Sequence, residues 1–344
     1  MEKALLQTLH CHTRNSDGVL TCKEVLDVCA QNGIGVVAFT DHDTLPDKKQ
    51  MTELRKSNHA TKYIWGIEVT SGYPKEVTEG DPHMFHIVGL FVDPTNKDLA
   101  GFCKKMHAIR LSRLKLKIDG FNKLGFKVSL DEVLATVTDN GIPTSLNLVN
   151  VLISNKENKP AIEKYVKRMK KLSEKDEKVE LLYKEMVTDE RGDKQKYFNT
   201  FMRDESPLKI GLPEHKLPDM DSIVSLIRKA QGLAVLAHWS FERENFGREL
   251  LDKICKEKRI DGLETVYDLF LLDNPLWKEK LKSDRAFLRE LAKKYNLFTS
   301  GGVDAHKDGD FNLFSSRKNY NRETVGMVER ITRGWNPRLS NSSL

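Results

Sequence analysis

No C-x-x-C pair occurs in the chain, and its five cysteines (positions 11, 22, 29, 103 and 255) are scattered. Neither a cysteine-bound zinc knuckle nor a disulfide framework is indicated, and the setting this suggests is a reducing cytoplasm. Long apolar runs are missing too. None approaches the roughly 20 residues that span a bilayer, and the opening MEKALLQ lacks the basic and then apolar stretches of a secretory signal. No membrane partner is expected. A G-x-x-x-x-G-K-S/T phosphate loop is absent, which argues against an NTPase, and no G-x-S-x-G or Cys/His arrangement offers a protein nucleophile. There is no internal repeat and no RNP-like aromatic motif for sequence-specific RNA binding.

What is present suits a well-solvated globular protein: 344 residues, 39% hydrophobic and 31% charged, enough for one large α/β domain or a domain with a sizeable insertion. The net charge of +6 is uneven. Between Asp98 and Glu205, 22 Lys and Arg face 17 Asp and Glu. Such an excess is compatible with phosphate-bearing ligands, although a Lys-rich solvated helix surface is the simpler account.

Along the first hundred residues strand-like and helix-like runs alternate as in βα units. ALLQTLH reads as a strand; Thr21 opens a helix with Glu24 three residues on, a capping box, and Gly33 closes it. IGVVAFT is almost wholly apolar, as expected of a strand covered on both faces, and TKYIWGIEV and MFHIVGLFV follow as strands. After Asp98 the texture changes to helical spacing: a long helix stopping at Gly125, two shorter ones at SLDEVLATV and TSLNLVNVLI, a charged helical stretch from Pro160 to Met186, and RGDKQKYF as a loop. The βα rhythm returns near Met220, with strands at GLAVLAH, IDGLETVY and LFTSGG between helices, before a frayed tail, RLSNSSL. The expected division is residues 1–97 with 206–335 as one discontinuous domain, 98–205 as a helical insertion or cap, and 336–344 as the tail.

Candidate ligands recur where these strands end. His10 and His12 close the first strand; two apart, they project to one face, with Cys11 opposite. Asp17 follows in the loop. TDHDT supplies Asp41, His42 and Asp43, GIEV holds Glu68, AHW holds His238, and GGVDAH holds Asp304 and His306. In α/β folds the loops at the carboxyl ends of strands converge on one mouth. His86, at the front of HIVGLF, breaks this rule and requires an oppositely running segment or the rim. One histidine of this kind is most simply a hydrogen-bonded surface residue, but the repetition at successive strand ends points to a multinuclear metal site. Imidazole and carboxylate without thiolate suit Zn, Mn or Fe.

The motifs TLHCHTRNSDG, AFTDHDT, GIEV, HIVGL, LAHW and GGVDAH, in that order, closely resemble those of the PHP (polymerase and histidinol phosphatase) superfamily. The resemblance covers residues 4–97 and 218–308, and the helical insertion resembles the branch with nucleoside 3′,5′-bisphosphate and AMP phosphatases and related 5′→3′ exoribonucleases. It implies a distorted (β/α)7 barrel carrying three divalent ions. Carried over by position, His10, His12, Glu68 and Asp304 form one site, Glu68 as a bridge with His86 and His238 the second, and Asp17, His42 and His306 the third. The implied chemistry is hydrolysis by a metal-bridging hydroxide, with His10, His12, His42, Glu68 and Asp304 as the catalytic set. Asp41 and Asp43 either orient ligands or shape their turn, with proton donation a further role open to Asp43. His59, His83, His107 and His215 match no motif.

Departures from the family bear on the substrate. Arg110 and Arg113 in AIRLSRLKLK lie one helical turn apart and can face one phosphate or simply solvent. Where relatives carry an arginine in a G-R-P-H-like stretch, this chain has GIPTSLNL, with no basic side chain, and their AHP is AHW here. Trp239 can stack on a base or pack beneath the site. The expected activity is hydrolysis of a phosphate monoester of a small nucleotide, AMP or a 3′,5′-bisphosphate. The alternatives are a 5′→3′ exonuclease on short RNA or DNA, a histidinol-phosphate phosphatase, and a non-catalytic metal-binding module. No protein partner is indicated.

Overall fold

The computed structural model describes residues 5–56, 58–77, 85–188, 193–202, 206, 210, 212, 217–267, 269–275 and 277–334. The tail RLSNSSL, His83 and His215 lie outside these. The chain forms two compact units, residues 1–105 with 216–344, and residues 106–215.

The first unit begins β1 (Leu6–Thr8), α1 (Cys22–Gln31), β2 (Ile34–Phe39), α2 (Lys48–Lys56), β3 (Lys62–Ser71) and β4 (Phe85–Leu90). Thr21 and Glu24 make the expected capping box at the start of α1, and Gly33 follows its end at φ +68°, a conformation glycine adopts without strain. Helix α3 (Lys97–Lys123) leads into the second unit, which holds α4 (Leu130–Leu134), α5 (Ser145–Ser154), α6 (Lys159–Ser173), α7 (Glu177–Thr188) and α8 (Asp193–Met202). The chain returns through α9 (Met220–Lys229), β5 (Leu233–Leu236), α10 (Arg248–Lys256), β6 (Gly262–Val266), α11 (Lys278–Tyr295), β7 (Phe298–Gly301), α12 (Asp308–Ser316), α13 (Lys318–Asn321) and α14 (Met327–Gly334).

In the second unit the charged stretch after Pro160 breaks into α6 and α7, and of RGDKQKYF, expected to be loop, the described residues 193–198 form the start of α8. Packing overrides the local polarity: Phe201 of α8 meets Phe121, Phe126 and Tyr165, and Tyr197 stacks on Phe201. Each such ring buried contributes about 1.5–3 kcal/mol.

The seven strands of the first unit form one sheet in sequence order, β1 to β7. All neighbours run parallel except β4, which is antiparallel to both β3 and β5. That reversal explains His86: entering at the front of β4, it reaches the end of the sheet where the other strands leave. Every residue of β2 is buried, and its side chains divide between two cores. Val37 and Phe39 join the cluster built with α1, α9 and α11, whereas Val36 and Ala38 join Ile64, Val88, Leu90 and Val235 on the other face. By period-two alternation Glu68 shares the face of Ile64, and His86 that of Val88. The candidate ligands therefore sit at one end of this second core. Beyond the strands, Leu9 N–H donates to Gly301 O at 2.9 Å and His12 N–H to Ala305 O at 2.8 Å, joining the segments that follow β1 and β7. Backbones meet so closely there that a Cβ on Gly302 would lie 2.6 Å from His10 N and 2.8 Å from Thr8 Oγ1.

Candidate metal centre

Two side chains past β1, His10 and His12 point inward, their rings 5.3 Å apart, while Cys11 turns to the opposite core. The loop beyond them is fixed by Asp41, at the end of β2. Its carboxylate accepts from Thr13 N–H and Oγ1–H at 2.7 Å each and from Ser16 Oγ–H at 2.8 Å. Burial pushes Asp41's pKa up, and His12 and these donors only partly offset that. Asp41 thus orients the ligand loop. Asp43 shapes its turn instead, at φ 49°: both its oxygens accept from Thr70, at 2.9 Å from N–H and 2.8 Å from Oγ1–H. It is fully buried.

Glu68 occupies the middle of the cluster and is itself buried. Its Oε2 lies 3.4 Å from His10 Nε2, 3.2 Å from His12 Nε2 and 3.0 Å from His42 Nδ1. Its Oε1 lies 3.1 Å from His86 Nδ1 and 3.0 Å from His238 Nε2. One carboxylate therefore spans two sets of imidazoles. Asp304 Oδ1 stands 3.0 Å from His12 Nε2 and 3.5 Å from His10 Nε2. Asp17 faces His42 at 3.6 Å and His306 at 3.5 Å. All nine expected ligand residues are brought together. Eight of them fall into three overlapping groups, His12, Asp17, His42 and His306; His10, His12 and Asp304; and His42, Glu68 and His86, while His238 stands beside Glu68 outside these groups. His12 and His42 thus border more than the one site each was expected to serve.

Whether these residues fit metal ions can be judged from unsatisfied atoms. His10 Nε2, His12 Nε2, His42 Nδ1 and Asp304 Oδ1 are buried with no hydrogen-bond partner. Each such atom ordinarily costs about 1–3 kcal/mol, yet here they converge. Nitrogen and oxygen donors so placed, without thiolate, fit Zn, Mn or Fe(II). Electrostatics agree. Against the penalty of burial, Glu68, Asp304 and Glu264 hold the pKa of His10 well above its ordinary value, and Asp304, Glu68 and Asp17 do the same for His12. Burial likewise opposes ionisation of Glu68, but His86, His42 and His10 bring its pKa well down. His42 goes the other way, to about 3, because burial outweighs the pull of Glu68 and Asp17. The pocket demands positive charge between its carboxylates.

Glu264 on β6 escaped the sequence reading. It is buried, its Oε1 lies 3.0 Å from His10 Nδ1, and its Oε2 accepts His238 N–H at 2.9 Å. Donating Nδ1–H to Glu264 leaves the Nε2 lone pair of His10 facing the cluster, the usual device for fixing a ligand's tautomer. The backbone bond also steadies His238, held at φ 26°. Its sequence signal was available: Gly-Leu-Glu at 262–264 repeats Gly-Ile-Glu at 66–68 within an apolar strand.

Trp239, expected among the substrate-binding residues, is 1% exposed. Its indole N–H donates to Phe246 O at 2.7 Å and its ring packs on Phe287, so it is a core residue and no platform for a base. Arg110 and Arg113 lie on α3 in the second unit, both partly buried. His59 and His107 belong to none of the ligand groups. Among the described residues, no helix is long and apolar enough to cross a membrane.

This geometry can be set beside known proteins. The 3′,5′-nucleoside bisphosphate phosphatase of Chromobacterium violaceum is 24% identical over 305 residues, covering 88% of this chain and 87% of its own. The 5′–3′ exoribonuclease Rnm of Salmonella typhimurium is 30% identical over 123 residues, covering 35% of this chain and 39% of its own. A crystal structure of a candidate metal-dependent phosphoesterase from Bifidobacterium adolescentis superimposes with a TM-score of 0.62 over 89% of this chain and 90% of its own, at 21% identity, a likeness of fold. The PHP domain family model matches residues 8–179, half the chain and most of the ligand-bearing strand ends. With that match, the chain belongs to the PHP domain family.

Proposed function

We propose that this chain is a metal-dependent phosphoesterase that releases phosphate from a small nucleotide of the AMP or 3′,5′-bisphosphate type. The observation that carries the reading is Glu68, buried between five imidazoles and serving one set with each oxygen. The three overlapping ligand groups support three divalent ions, with their eight residues, and His238 beside Glu68, as the holders. Bound there, such ions would neutralise phosphate oxygens and lower the pKa of a water near them, the two things that a phosphate ester's hydrolysis requires. The chain's own part is positional. Glu68 spans neighbouring sites, Glu264 sets the tautomer of His10, and Asp41 locks the loop that carries Asp17. We read the sheet as the distorted (β/α)7 barrel of the family, a reading supported by the hydrogen bonds between the segments after β1 and β7.

A small-nucleotide substrate is favoured over RNA because the bisphosphate phosphatase matches nearly end to end, whereas the exoribonuclease matches over about a third of each chain. Mn-loaded protein incubated with AMP, a 3′,5′-bisphosphate nucleotide, histidinol phosphate and a 5′-phosphorylated short RNA tests this, with His42→Ala as control. Inorganic phosphate from the nucleotides, lost on chelation, is expected. Mononucleotides from RNA alone would make it an exonuclease, and activity surviving chelation would sink the reading.

A further inference from the structure

We propose that Phe241, braced by Trp277, is the platform on which the base of a nucleotide substrate stacks. Such a role rests on the phosphoesterase reading, to which it adds the choice of the substrate's organic part. Among the described side chains, Phe241 is the exposed one of all the phenylalanines, tyrosines and tryptophans, at 38%. One exposed apolar side chain is ordinary in itself; the position of this one is not. Its ring centroid lies 6.0 Å from that of His238, whose Nε2 meets Glu68 at the centre of the cluster. His86 and His238 are partly exposed, whereas His10, His12 and Glu68 are buried, so the cluster is open to solvent beside Phe241.

The chain holds this ring in place from both sides. Phe241 ends the 3-10 turn Trp239–Phe241, which begins directly after His238, and its N–H donates back to His238 O at 3.2 Å. Trp239 anchors the start of the turn in the core through Phe246 and Phe287. The stacking role open to Trp239 in the sequence thus passes to the aromatic two positions on. Trp277, just before α11, meets the Phe241 ring edge-on at 5.0 Å and 66°, and Lys280 Nζ lies 4.3 Å from the Trp277 ring. An edge-to-face pair of this kind fixes the ring's orientation and leaves ring surface open. The result is a row of rings, His42, His86, His238, Phe241 and Trp277, with neighbours 4.9, 5.3, 6.0 and 5.0 Å apart.

Along that row the chemistry changes at Phe241. The first three rings are candidate metal ligands and suit a phosphate; the last two are hydrocarbon-rich and do not, because the face of an aromatic ring is negative and repels an anion. A sugar is no better suited, since its hydroxyls find no hydrogen-bond partner on a phenyl ring. What the ring favours is a flat, weakly hydrated group, and every nucleobase presents such a π-face. A nucleotide sets its base one sugar away from its phosphate, a spacing comparable with the 6.0 Å step from His238 to Phe241.

Steady-state kinetics of the Mn-loaded full chain on AMP and on ribose 5-phosphate, the same phosphate and sugar without the base, test the platform. In the wild type the KM for AMP should lie about tenfold or more below that for ribose 5-phosphate. Phe241→Ala should raise the AMP value about tenfold and leave ribose 5-phosphate unchanged, which also shows the metal centre intact. Phe241→Tyr should keep the preference, and Phe241→Leu, apolar but without a π-face, should lose most of it; these two keep the test decisive should Phe241→Ala fail to fold. Adenosine, which carries the base and no phosphate, is titrated against tryptophan fluorescence as a readout free of hydrolysis, and its affinity should fall about tenfold in Phe241→Ala. Equal KM values for the two esters in the wild type, the same loss for both in Phe241→Ala, or a full preference in Phe241→Leu overturns the proposal. Hydrolysis of AMP that ignores Phe241 removes the platform alone. Adenosine binding that depends on Phe241, without hydrolysis of any ester, removes only the phosphoesterase reading.

Discussion

Replacing Glu264 tests how the cluster is held, because this carboxylate joins two of its histidines without belonging to a ligand group. Glu264→Ala removes the acceptor from two donors, the buried His10 Nδ1–H and the partly buried His238 N–H. A buried donor left without a partner costs about 1–3 kcal/mol, and the partly buried second donor adds less than that, so the loss should be about 2–4 kcal/mol, less whatever a water filling the cavity restores. Glu264→Gln keeps one carbonyl oxygen, able to serve one donor, and should show about half the loss. Metal affinity should fall as well, since loss of a carboxylate partner behind a ligating histidine typically costs about 10–100-fold. Competition with a chromophoric chelator gives the affinity, and thermal unfolding of the metal-free protein gives the stability. Ala should be worse than Gln, and Gln worse than wild type, in both. Unchanged metal affinity in Glu264→Ala, with the protein folded, would refute the claim that this residue sets the His10 tautomer.

Gly302→Ala would force its new methyl to within 2.6 Å of His10 N, so the backbone beside the ligand must shift; a loss of about 1–3 kcal/mol in chemical denaturation is expected, with weaker metal binding. Arg259 donates to Asp221 at 2.8 and 2.6 Å and to Glu76 at 2.7 Å. Partial burial of Glu76 works against ionisation, but hydrogen bonds from Arg259, its own backbone N–H and Lys253 bring its pKa to about 2 from the ordinary 4.5. A depressed carboxylate stabilises fully above its unfolded pKa and loses that contribution as pH falls through the folded one. Arg259→Ala should therefore cost about 2 kcal/mol near neutrality, after discounting partial exposure, and should flatten the stability profile between about pH 4.5 and 2. Because carboxylates hold His10 and His12 pKa values high, Mn binding near pH 7 should expel protons, seen as a calorimetric heat that changes with buffer ionisation enthalpy. A heat independent of the buffer would show that these imidazoles were already neutral.

The convergence of the candidate ligands was legible because they stand where apolar strands end, and strand polarity carries most of them to one place. His86 was legible as an exception, and the antiparallel β4 supplies its reason. Glu264 was not read, because one carboxylate in an apolar strand has no marker until its partners are known; its likeness to Glu68 appears only when GLE is set beside GIE. For Trp239 the sequence supports two roles, and its contacts with Phe246 and Phe287 decide for packing. Helix α8 was lost because RGDKQKYF is polar by local propensity. The aromatic contacts that order it come from Phe121, Phe126 and Tyr165, far away in sequence. The approach of Lys117 to Ser145 is of the same kind, a contact across 28 residues that no periodicity announces.

The central claim is that Glu68 holds a cluster of divalent ions together. Metal content of the folded chain, measured by plasma mass spectrometry after Mn loading and desalting, tests it most directly when wild type and Glu68→Ala are compared. About three ions are expected in the wild type, one for each ligand group, with loss of at least two in Glu68→Ala, which removes the carboxylate shared by both sets of imidazoles. A folded Glu68→Ala protein that retains the wild-type metal content would contradict it.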